Sequence, residues 1–310
     1  MSAVLASPAA GGSIVDPVRA LQHVLYRAAK ADPGRRFHAL RDKVLRRDVL
    51  WRAWVAVRRN DGAPGIDKTT LDQVEQDGVG RLLDDLADEL RDGSYRPLPT
   101  RRVFIPKPGG SELRPLSIPA VRDRIVQAAV KIVLEPVFEA GMLPCSFGFR
   151  PRRSAHDALQ VLIEESARGR RWVVETDIAN CFSAIPHQEL MQAVEERVCD
   201  QALLKLLRVM LRAGVMEQGL VRREVTGTPQ GGVISPHARC RNGAERHPGT
   251  RQAWPAARET VSTTVQPAAV PAGLRTHLHQ HGCDDARGHA GDRGRHVPSQ
   301  NRGDHRRVTS

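Results

Sequence analysis

The spacing of apolar residues along the chain predicts a succession of helices. Apolar side chains recur every three or four positions in several stretches, as expected when one face of a helix is buried. Asp16 and Pro17 stand where the first of these helices begins, and Gly93 and Gly214 stand where later ones end. The predicted helices cover residues 16–30, 36–59, 71–91, 120–139 and 154–167, followed by a helix pair between residues 190 and 211.

Short runs of apolar and β-branched residues between the helices predict strands. Residues 103–106 and 113–119 flank a Gly-Gly turn, and residues 215–224 have the pattern of a second hairpin. A further run, residues 173–178, carries the acid Asp177 close to its end. A strand end fixes the backbone while the side chain reaches solvent, which suits a catalytic acid. An aspartate at that position is more often a turn or helix cap, so the pattern alone leaves both interpretations open.

The pattern of apolar positions is lost after residue 236. Residues 237–310 contain 12 Arg and no Lys, 8 of the chain's 12 His, 2 Leu, and no Ile, Phe, Tyr or Met. So few large apolar side chains cannot offset the conformational entropy that is lost when a backbone is ordered. The sequence therefore predicts a disordered tail over residues 237–310. Residues 1–15, rich in Ala, Gly and Ser, are predicted to be disordered as well.

The net charge of the chain favours a polyanionic partner. At a formal net charge of +12, Lys and Arg side chains can displace condensed counterions from phosphates, although a solvated basic surface has the same composition. The five cysteines lack Cys-x-x-Cys spacing, which argues against a disulfide scaffold or a zinc knuckle and favours a cytoplasmic location. We expect no signal peptide and no membrane partner, since the N-terminus lacks a basic stretch and no apolar run could span a bilayer.

Two segments concentrate basic residues. The predicted helix over residues 36–59 contains eight Arg or Lys and is compatible with nucleic-acid binding or with an amphipathic surface. The first predicted hairpin carries Arg101, Arg102, Lys107 and Arg114. A lysine point charge and an arginine fork can together hold a triphosphate. An ordinary charged hairpin has the same composition, so this function also stays open on composition alone.

Several short motifs resemble, in matching order, those of the reverse transcriptases of group II introns, also called intron-encoded maturases. Together they extend over about residues 40–236. The matching motifs are Gly62-Ala63-Pro64-Gly65-Ile66-Asp67, Ile105-Pro106-Lys107-Pro108-Gly109-Gly110, Arg114-Pro115-Leu116-Ser117-Ile118-Pro119, Asp123-Arg124 with Gln127, Ser146-Phe147-Gly148-Phe149-Arg150-Pro151 with Ser154-Ala155-His156, residues 177–182, and residues 227–236.

The resemblance implies the right-hand fold of polymerases, of which this chain would contain the fingers and part of the palm. We accordingly expect an α/β fold with a disordered C-terminal tail. The expected parts are a flexible N-terminus and first helix (residues 1–35), a fingers-like part (residues 36–170), a partial palm (residues 171–236) and the disordered tail (residues 237–310).

The resemblance also implies roles for individual residues. Asp177, helped by the backbone carbonyl of Ile178, would bind two Mg²⁺ ions that activate a primer 3′-hydroxyl. Phe182 would lie under the sugar of an incoming deoxynucleoside triphosphate and exclude a 2′-hydroxyl. The implied partners are intron RNA and an RNA template with a DNA primer. The remaining implied roles are triphosphate binding by Lys107 and Arg114 and packing beneath the templating pair by Gln230, Gly231 and Gly232. Because the helix over residues 36–59 and the first hairpin are basic, we also expect the N-terminal part to bind RNA, with contacts by Arg46, Arg47, Arg58, Arg59, Arg101, Arg102 and Arg150.

The chain departs from the family after Pro236. There the family continues with an apolar helix, a hairpin carrying Tyr-Ala-Asp-Asp, and a helical thumb, none of which this sequence contains. A shift of reading frame explains such an abrupt change of composition. Asp284-Asp285 is a poor substitute for the missing acids, because its Gly- and His-rich flanks do not form a buried hairpin. His277, His279, His281 and Cys283 alternate as ligands of a soft metal could, but chance in a His-rich tail is the better explanation.

Three functions therefore remain open on the sequence. The chain could be an RNA-directed DNA polymerase, a fragment that grips intron RNA without polymerising, or a decayed remnant without activity. Asp177 is one carboxylate where two metal ions need several, which favours the second and third functions for this chain.

Overall fold

The computed structural model describes residues 16–106, 113–170, 172–178, 184–222, 226–227 and 261–267, with the backbone alone over residues 174–178 and 261–267. The helices are α1 (Pro17–Ala31), α2 (Arg41–Val44), α3 (Arg47–Arg59), α4 (Leu71–Asp77), α5 (Val79–Asp92), α6 (Val121–Glu139), α7 (Ala155–Ala167), α8 (His187–Glu195) and α9 (Gln201–Leu211). The strands are β1 (Thr100–Pro106), β2 (Leu113–Ile118), β3 (Trp172–Ile178), β4 (Val215–Glu217), β5 (Leu220–Arg222) and β6 (Val261–Pro267).

Helix α6 lies at the centre of the hydrophobic core. Twelve of its 19 residues are buried, and Ile125, Val126, Ala129, Val130 and Val133 have no exposed surface. Helices α1 and α3 pack against it with the apolar stripes that the sequence predicts. A helix that is apolar on several sides is stable in water only when other elements surround it, so α6 determines where the other helices lie.

Two of the predicted helices are each divided in the structure. Residues 36–59 contain α2 and α3, separated where Arg46 adopts extended backbone angles (φ −60°, ψ 133°). Residues 71–91 contain α4 and most of α5, separated by Gly78 at φ 99°, a conformation that disfavours any side chain. The prediction of continuous helices was wrong at both places. Buried residues continue on both sides of each break, for example Val44 and Val49, so the apolar spacing does not reveal the interruption.

The two predicted hairpins are confirmed and belong to one four-stranded sheet, in the order β2-β1-β4-β5. Strands β1 and β2 are antiparallel, with Arg101 opposite Ile118 and Ile105 opposite Arg114. Strand β4 pairs in parallel with the start of β1 and antiparallel with β5. The turn of the first hairpin, residues 107–112, lies outside the described residues.

The carboxylate of Asp200 joins the N-terminal helices to α9. It accepts the backbone N–H groups of Leu40 (2.9 Å), Arg41 (2.8 Å) and Leu203 (3.1 Å). Burial opposes ionisation of this group, but the hydrogen bonds from Arg41, Leu203 and Leu40 outweigh it and lower the pKa of Asp200. One carboxylate therefore caps α9 and also fixes the segment that leads into α2.

One segment of the C-terminal tail forms a strand that the sequence analysis did not predict. Strand β6 pairs with β3 in antiparallel register, from Trp172 opposite Pro267 to Ile178 opposite Val261. Four of its seven residues are β-branched, which explains its strand conformation despite the polar surroundings in sequence. The other residues of 237–310 and residues 1–15 lie outside the described part, and their predicted disorder stays a prediction.

Within the part of the chain that the structure describes, no helix combines the length and the apolar character that crossing a membrane requires.

Candidate active site and nucleic-acid interface

Strand β3 carries the predicted catalytic acid next to its last position. The strand is rich in β-branched residues, which pack well on a pleated surface. Its register with β6 places Asp177 opposite Ser262. The sequence of β6, Val-Ser-Thr-Thr-Val-Gln-Pro, contains no carboxylate. The strand paired with β3 therefore brings no second acid to the position opposite Asp177.

The residues after β3 contact the beginning of the Gly-rich motif of residues 227–236. The N–H of Gly227 donates to the carbonyl of Ile185 at 2.7 Å, and the carbonyl of Gly227 lies 2.7 Å from Nε2 of His187. Pro186 and Thr226 form a β-bridge beside them. The structure thus places the residues that follow the motif of residues 177–182 beside the first residue of the motif of residues 227–236. The side chain of Asp177 and residues Lys107, Phe182, Gln230, Gly231 and Gly232 lie outside the described part.

The motif of residues 62–67 packs as a loop against the beginning of α6. A Cβ added to Gly65 would lie 2.5 Å from the Cα of Ala120, so only glycine fits without a shift of the backbone. Arg101, predicted to contact RNA, donates from Nε (3.1 Å) and Nη2 (2.8 Å) to the carbonyl of Pro64. The guanidinium of Arg101 therefore holds this loop on the sheet.

The first hairpin leaves Arg114 exposed on β2. No carboxylate of the described residues forms an ion pair with it, and exposure of this kind is what contact with an anion requires. Arg102 is partly buried on β1, opposite Ser117.

Three of the four arginines predicted to bind RNA near α3 form ion pairs within the fold. Their carboxylate partners belong to α3, α4, α5 or the turn after α3. Within the described part, Arg59 is exposed and has no such partner. The hydrogen bond to Glu75 raises the pKa of Arg58. The three carboxylates that pair with Arg58 would compete with a phosphate for its guanidinium. The pairs are Arg46 with Asp48 (2.6 Å), Arg47 with Asp84, and Arg58 with Asp61 (3.2 Å), Asp72 (3.0 Å) and Glu75 (2.9 Å).

Arg150 ties the end of α6 to the segment before α7. It pairs with Glu139 at 2.6 Å and donates to the carbonyls of Leu143 (2.6 Å) and Ser146 (2.7 Å). Its side chain is only 7% exposed. These contacts show a structural role for Arg150, while its predicted contact with RNA stays a prediction.

A buried carboxylate in α6, Asp123, fixes the linker between α5 and β1. It accepts the Tyr95 hydroxyl at 2.6 Å and the Leu98 N–H at 2.9 Å. Burial raises the pKa of Asp123 and, together with the Asp123 charge, that of Tyr95. The sequence marked Asp123 only as part of a motif, because partners 25 and 28 residues away leave no local pattern.

Sequence reasoning missed an open groove of about 760 Å³ beside this linker. Its walls come from three separate segments, namely the linker, the end of α9 and strand β5, so no local pattern marks it. The groove is lined by Arg96, Pro97, Pro99, Val209, Arg212 and Val221.

The oxygen donors that the sequence analysis assigns to Mg²⁺ lie at the end of β3. Asp177 and the Ile178 carbonyl are oxygen donors of the kind that Mg²⁺ prefers, but a two-metal centre needs several carboxylates to balance its charge. Among the described side chains, no three His, Cys, Asp or Glu residues lie close enough together to hold a metal. The described side chains therefore offer no acid cluster for a two-metal centre, and the side chain of Asp177 is not among them.

Comparisons with known proteins found similarity to a reverse transcriptase family and to a group II intron-encoded protein. The family model described as reverse transcriptase (RNA-dependent DNA polymerase) matches residues 105–241. Protein YkfC of Escherichia coli K12 is 40% identical over 223 residues, which cover 70% of this chain and 58% of that protein. The group II intron-encoded protein LtrA of Lactococcus lactis subsp. cremoris is 36% identical over 195 residues, which cover 62% of this chain and 32% of that protein.

Among solved structures, a chain of a partial Cas6-RT-Cas1–Cas2 complex matches 64% of this chain and 33% of its own length, with 22% identity and a TM-score of 0.44. This chain thus spans about three fifths of YkfC and a third of LtrA and of the solved chain.

Proposed function

This chain belongs to the family of group II intron reverse transcriptases and maturases, and from that premise we propose that it binds intron RNA but does not itself extend a primer. Extension requires the two-metal centre of the family, whereas binding requires only a folded basic surface.

The pairing of β3 with β6 supports this proposal most strongly. Directly opposed residues of neighbouring strands have their Cβ atoms about 4.5–5.5 Å apart, which is where a second carboxylate could share a metal ion with Asp177. Ser262 stands at that position. A neutral hydroxyl cannot replace a carboxylate in balancing the charge of two Mg²⁺ ions.

The rest of the tail provides no better candidate for the second acid. The chain's two tyrosines are Tyr26 and Tyr95, so the sequence has no Tyr-Ala-Asp-Asp. The acid pair of the tail, Asp284-Asp285, is flanked by Gly, His, Cys and Arg. We assign this pair no catalytic role, and we attribute the composition of residues 237–310 to a shift of reading frame.

The nucleotide-contacting roles are part of the same proposal. Lys107 and Arg114 would hold a deoxynucleoside triphosphate, Phe182 would lie under its sugar, and residues 230–232 would pack against the templating pair. The exposure of Arg114 supports its role. In the protein with its reading frame restored, we propose that Mg²⁺ is the metal and that Asp177 is one of its ligands. In this chain, Asp177 alone would hold Mg²⁺ weakly.

The packed core supports an RNA-binding fragment rather than a remnant without structure. Apolar residues from α1, α3, α5, α6 and α9 are buried together in one core, so the surface presented by the N-terminal part is fixed. A net charge of +12 favours a polyanion as its partner. We propose intron RNA as that polyanion, because LtrA, to which the chain is similar, is named an intron-encoded protein.

We place this function in the cytoplasm, since Cys145 and Cys199 are free thiols. Recovery of the protein from an oxidising compartment after cell fractionation would contradict this location.

The test compares two proteins in one primer-extension assay with RNA template, deoxynucleotides and Mg²⁺. The first is the 310-residue chain, and the second is the same gene with its reading frame restored after the Pro236 codon. We expect salt-sensitive RNA binding by both and extension by the restored protein alone. Extension by the unrestored chain would overturn the proposal, as would RNA affinity that does not change with salt. A downstream frame without Tyr-Ala-Asp-Asp would remove the frameshift explanation.

A further inference from the structure

We propose that the groove between the α5–β1 linker, the end of α9 and β5 binds the sugar–phosphate backbone of RNA, with Arg96 and Arg212 as its phosphate contacts. This inference rests on the proposed RNA-binding function and identifies the groove as one of the surfaces that bind the RNA. The groove measures about 760 Å³, within the ~300–1,000 Å³ of typical small-ligand sites. It therefore suits a short stretch of backbone rather than a whole duplex face.

The first wall of the groove is the α5–β1 linker, which contacts with α6 and its own prolines hold rigid. Asp123 fixes the linker through Tyr95 and the Leu98 N–H, and Pro97 and Pro99 restrict the backbone on either side of Leu98. The Nη1 group of Arg96 donates to the carbonyls of Gly93 (2.9 Å) and Tyr95 (2.8 Å). These bonds anchor one end of the guanidinium and leave its other N–H groups directed away from them.

The second wall is the outer side of α9. Leu203, Leu204, Leu207 and Met210 are the buried residues of this helix, so Val209 and the C-cap residue Arg212 belong to its other side. Arg212 is exposed. At a helix C-terminus a cation is favoured by the helix dipole, so the guanidinium is compatible with its position when no ligand is bound.

The third wall, β5, supplies an apolar surface. Val221 is 46% exposed and lies opposite Met216 of β4 in the antiparallel pair. With Pro97, Pro99 and Val209 it makes up the apolar part of the groove lining. Ribose and base faces can pack on such a surface while the phosphates reach the guanidinium groups.

The charges of the groove distinguish it from the basic helix α3. Arg46, Arg47 and Arg58 each have a carboxylate partner. No carboxylate of the described residues forms an ion pair with Arg96 or Arg212, and none lines the groove. An incoming phosphate therefore meets two cations without displacing a carboxylate from either. RNA is favoured over an acidic protein segment because the chain matches a reverse transcriptase family and carries a net charge of +12.

The test is an RNA-binding titration with a hairpin RNA that carries a single-stranded extension, at several salt concentrations. The double variant Arg96→Gln, Arg212→Gln is compared with Arg27→Gln, Arg81→Gln, which removes two exposed charges elsewhere. Each lost phosphate contact reduces the slope of log affinity against log salt by about 0.7–0.9. We expect the groove variant to lose roughly 1.4–1.8 of slope and the control variant to keep the slope of the unaltered chain.

NMR methyl resonances show where on the protein the RNA binds. Methyl resonances of Val209 and Val221 should shift when the RNA is added to the unaltered chain, and should not shift in the groove variant. Equal slopes for both double variants, or methyl resonances that do not move while RNA binds, would show that RNA does not bind in the groove. The proposed RNA-binding function would not be affected by either result. Absence of salt-dependent binding by the unaltered chain would overturn both. Methyl shifts caused by oligoglutamate but not by RNA would identify an acidic protein segment instead.

Discussion

Helices α6 and α7 follow each other in the chain but bury their apolar residues very differently. Twelve of the 19 residues of α6 are buried, whereas no residue of α7 is. In α7, Leu159 is 54% exposed and Leu162 is 53% exposed. Sequence periodicity predicts both helices, so it predicts an apolar face but not whether another element covers it. The chain therefore has one part that is stabilised by packing and another that is stabilised by local hydrogen bonds.

Local hydrogen bonds specify α7. The Ser154 hydroxyl accepts the Asp157 N–H at 3.2 Å, and the Asp157 carboxylate accepts the Ser154 N–H at 2.7 Å, which is a capping box. The strand that follows begins with Trp172, which is 71% exposed. The segment carrying Asp177 is therefore joined to a helix that contributes nothing to the core. We expect this segment to open without unfolding of the core.

The largest effect is expected from shortening one leucine in each part. Leu50 in α3 has no exposed surface, so Leu50→Ala should lower the free energy of unfolding by about 2–5 kcal/mol. Leu159→Ala in α7 should lower it by less than about 0.5 kcal/mol. Urea denaturation of both variants and the unaltered chain measures the difference. Equal losses would show that α7 is packed, and the comparison between the two helices would fail.

A smaller effect is expected where a glycine approaches a neighbouring backbone. Gly65→Ala would place a Cβ 2.5 Å from the Ala120 Cα, and the resulting shift should cost about 1–3 kcal/mol of unfolding free energy. Gly141→Ala is the matched control, because its nearest atom would be the Phe138 carbonyl oxygen at 3.7 Å. Thermal denaturation of both variants provides the measurement. A neutral Gly65→Ala would mean that the loop of residues 62–67 is not held against α6.

The smallest effect concerns two capping aspartates, buried Asp200 and exposed Asp157. Asp200→Ala should cost about 1–2 kcal/mol, and Asp200→Asn less, because the amide keeps one acceptor oxygen. The pKa of Asp200 is lowered in the folded state. Its contribution is therefore complete above the unfolded pKa of about 3.9 and is lost as the pH falls through the lower folded pKa.

Denaturation measured at pH 7 and at pH 3 checks this contribution. The difference between the unaltered chain and Asp200→Asn should shrink at the lower pH. Asp157→Asn should change the stability of the core less than Asp200→Asn at either pH, although hydrogen bonds from Ser154 lower the pKa of Asp157 too. A loss for Asp157→Asn as large as that for Asp200→Asn would make α7 part of the cooperative core.

The sequence predicts those parts of the fold that have local causes. The Asp16 cap, the Gly93 end of α5, the Ser154 cap of α7 and the strand ending near Asp177 were all marked by neighbouring residues. Long-range features were not predictable in this way. The ion pairs of Arg58 depend on how α4 packs against α3, and the groove between Arg96 and Arg212 joins segments far apart in the chain. The pairing of β6 with β3 likewise depends on the tertiary fold.

Primer extension by the purified 310-residue chain and by its Asp177→Ala variant, side by side, tests whether this chain polymerises at all. Because Ser262 stands opposite Asp177 where a second carboxylate is needed, we predict the same background level for both proteins. In the frame-restored protein, Asp177→Ala should abolish extension and Phe182→Ala should admit ribonucleotides, which shows that the assay detects the site. Extension by the 310-residue chain that disappears with Asp177→Ala would show that this chain is an active polymerase that uses Asp177.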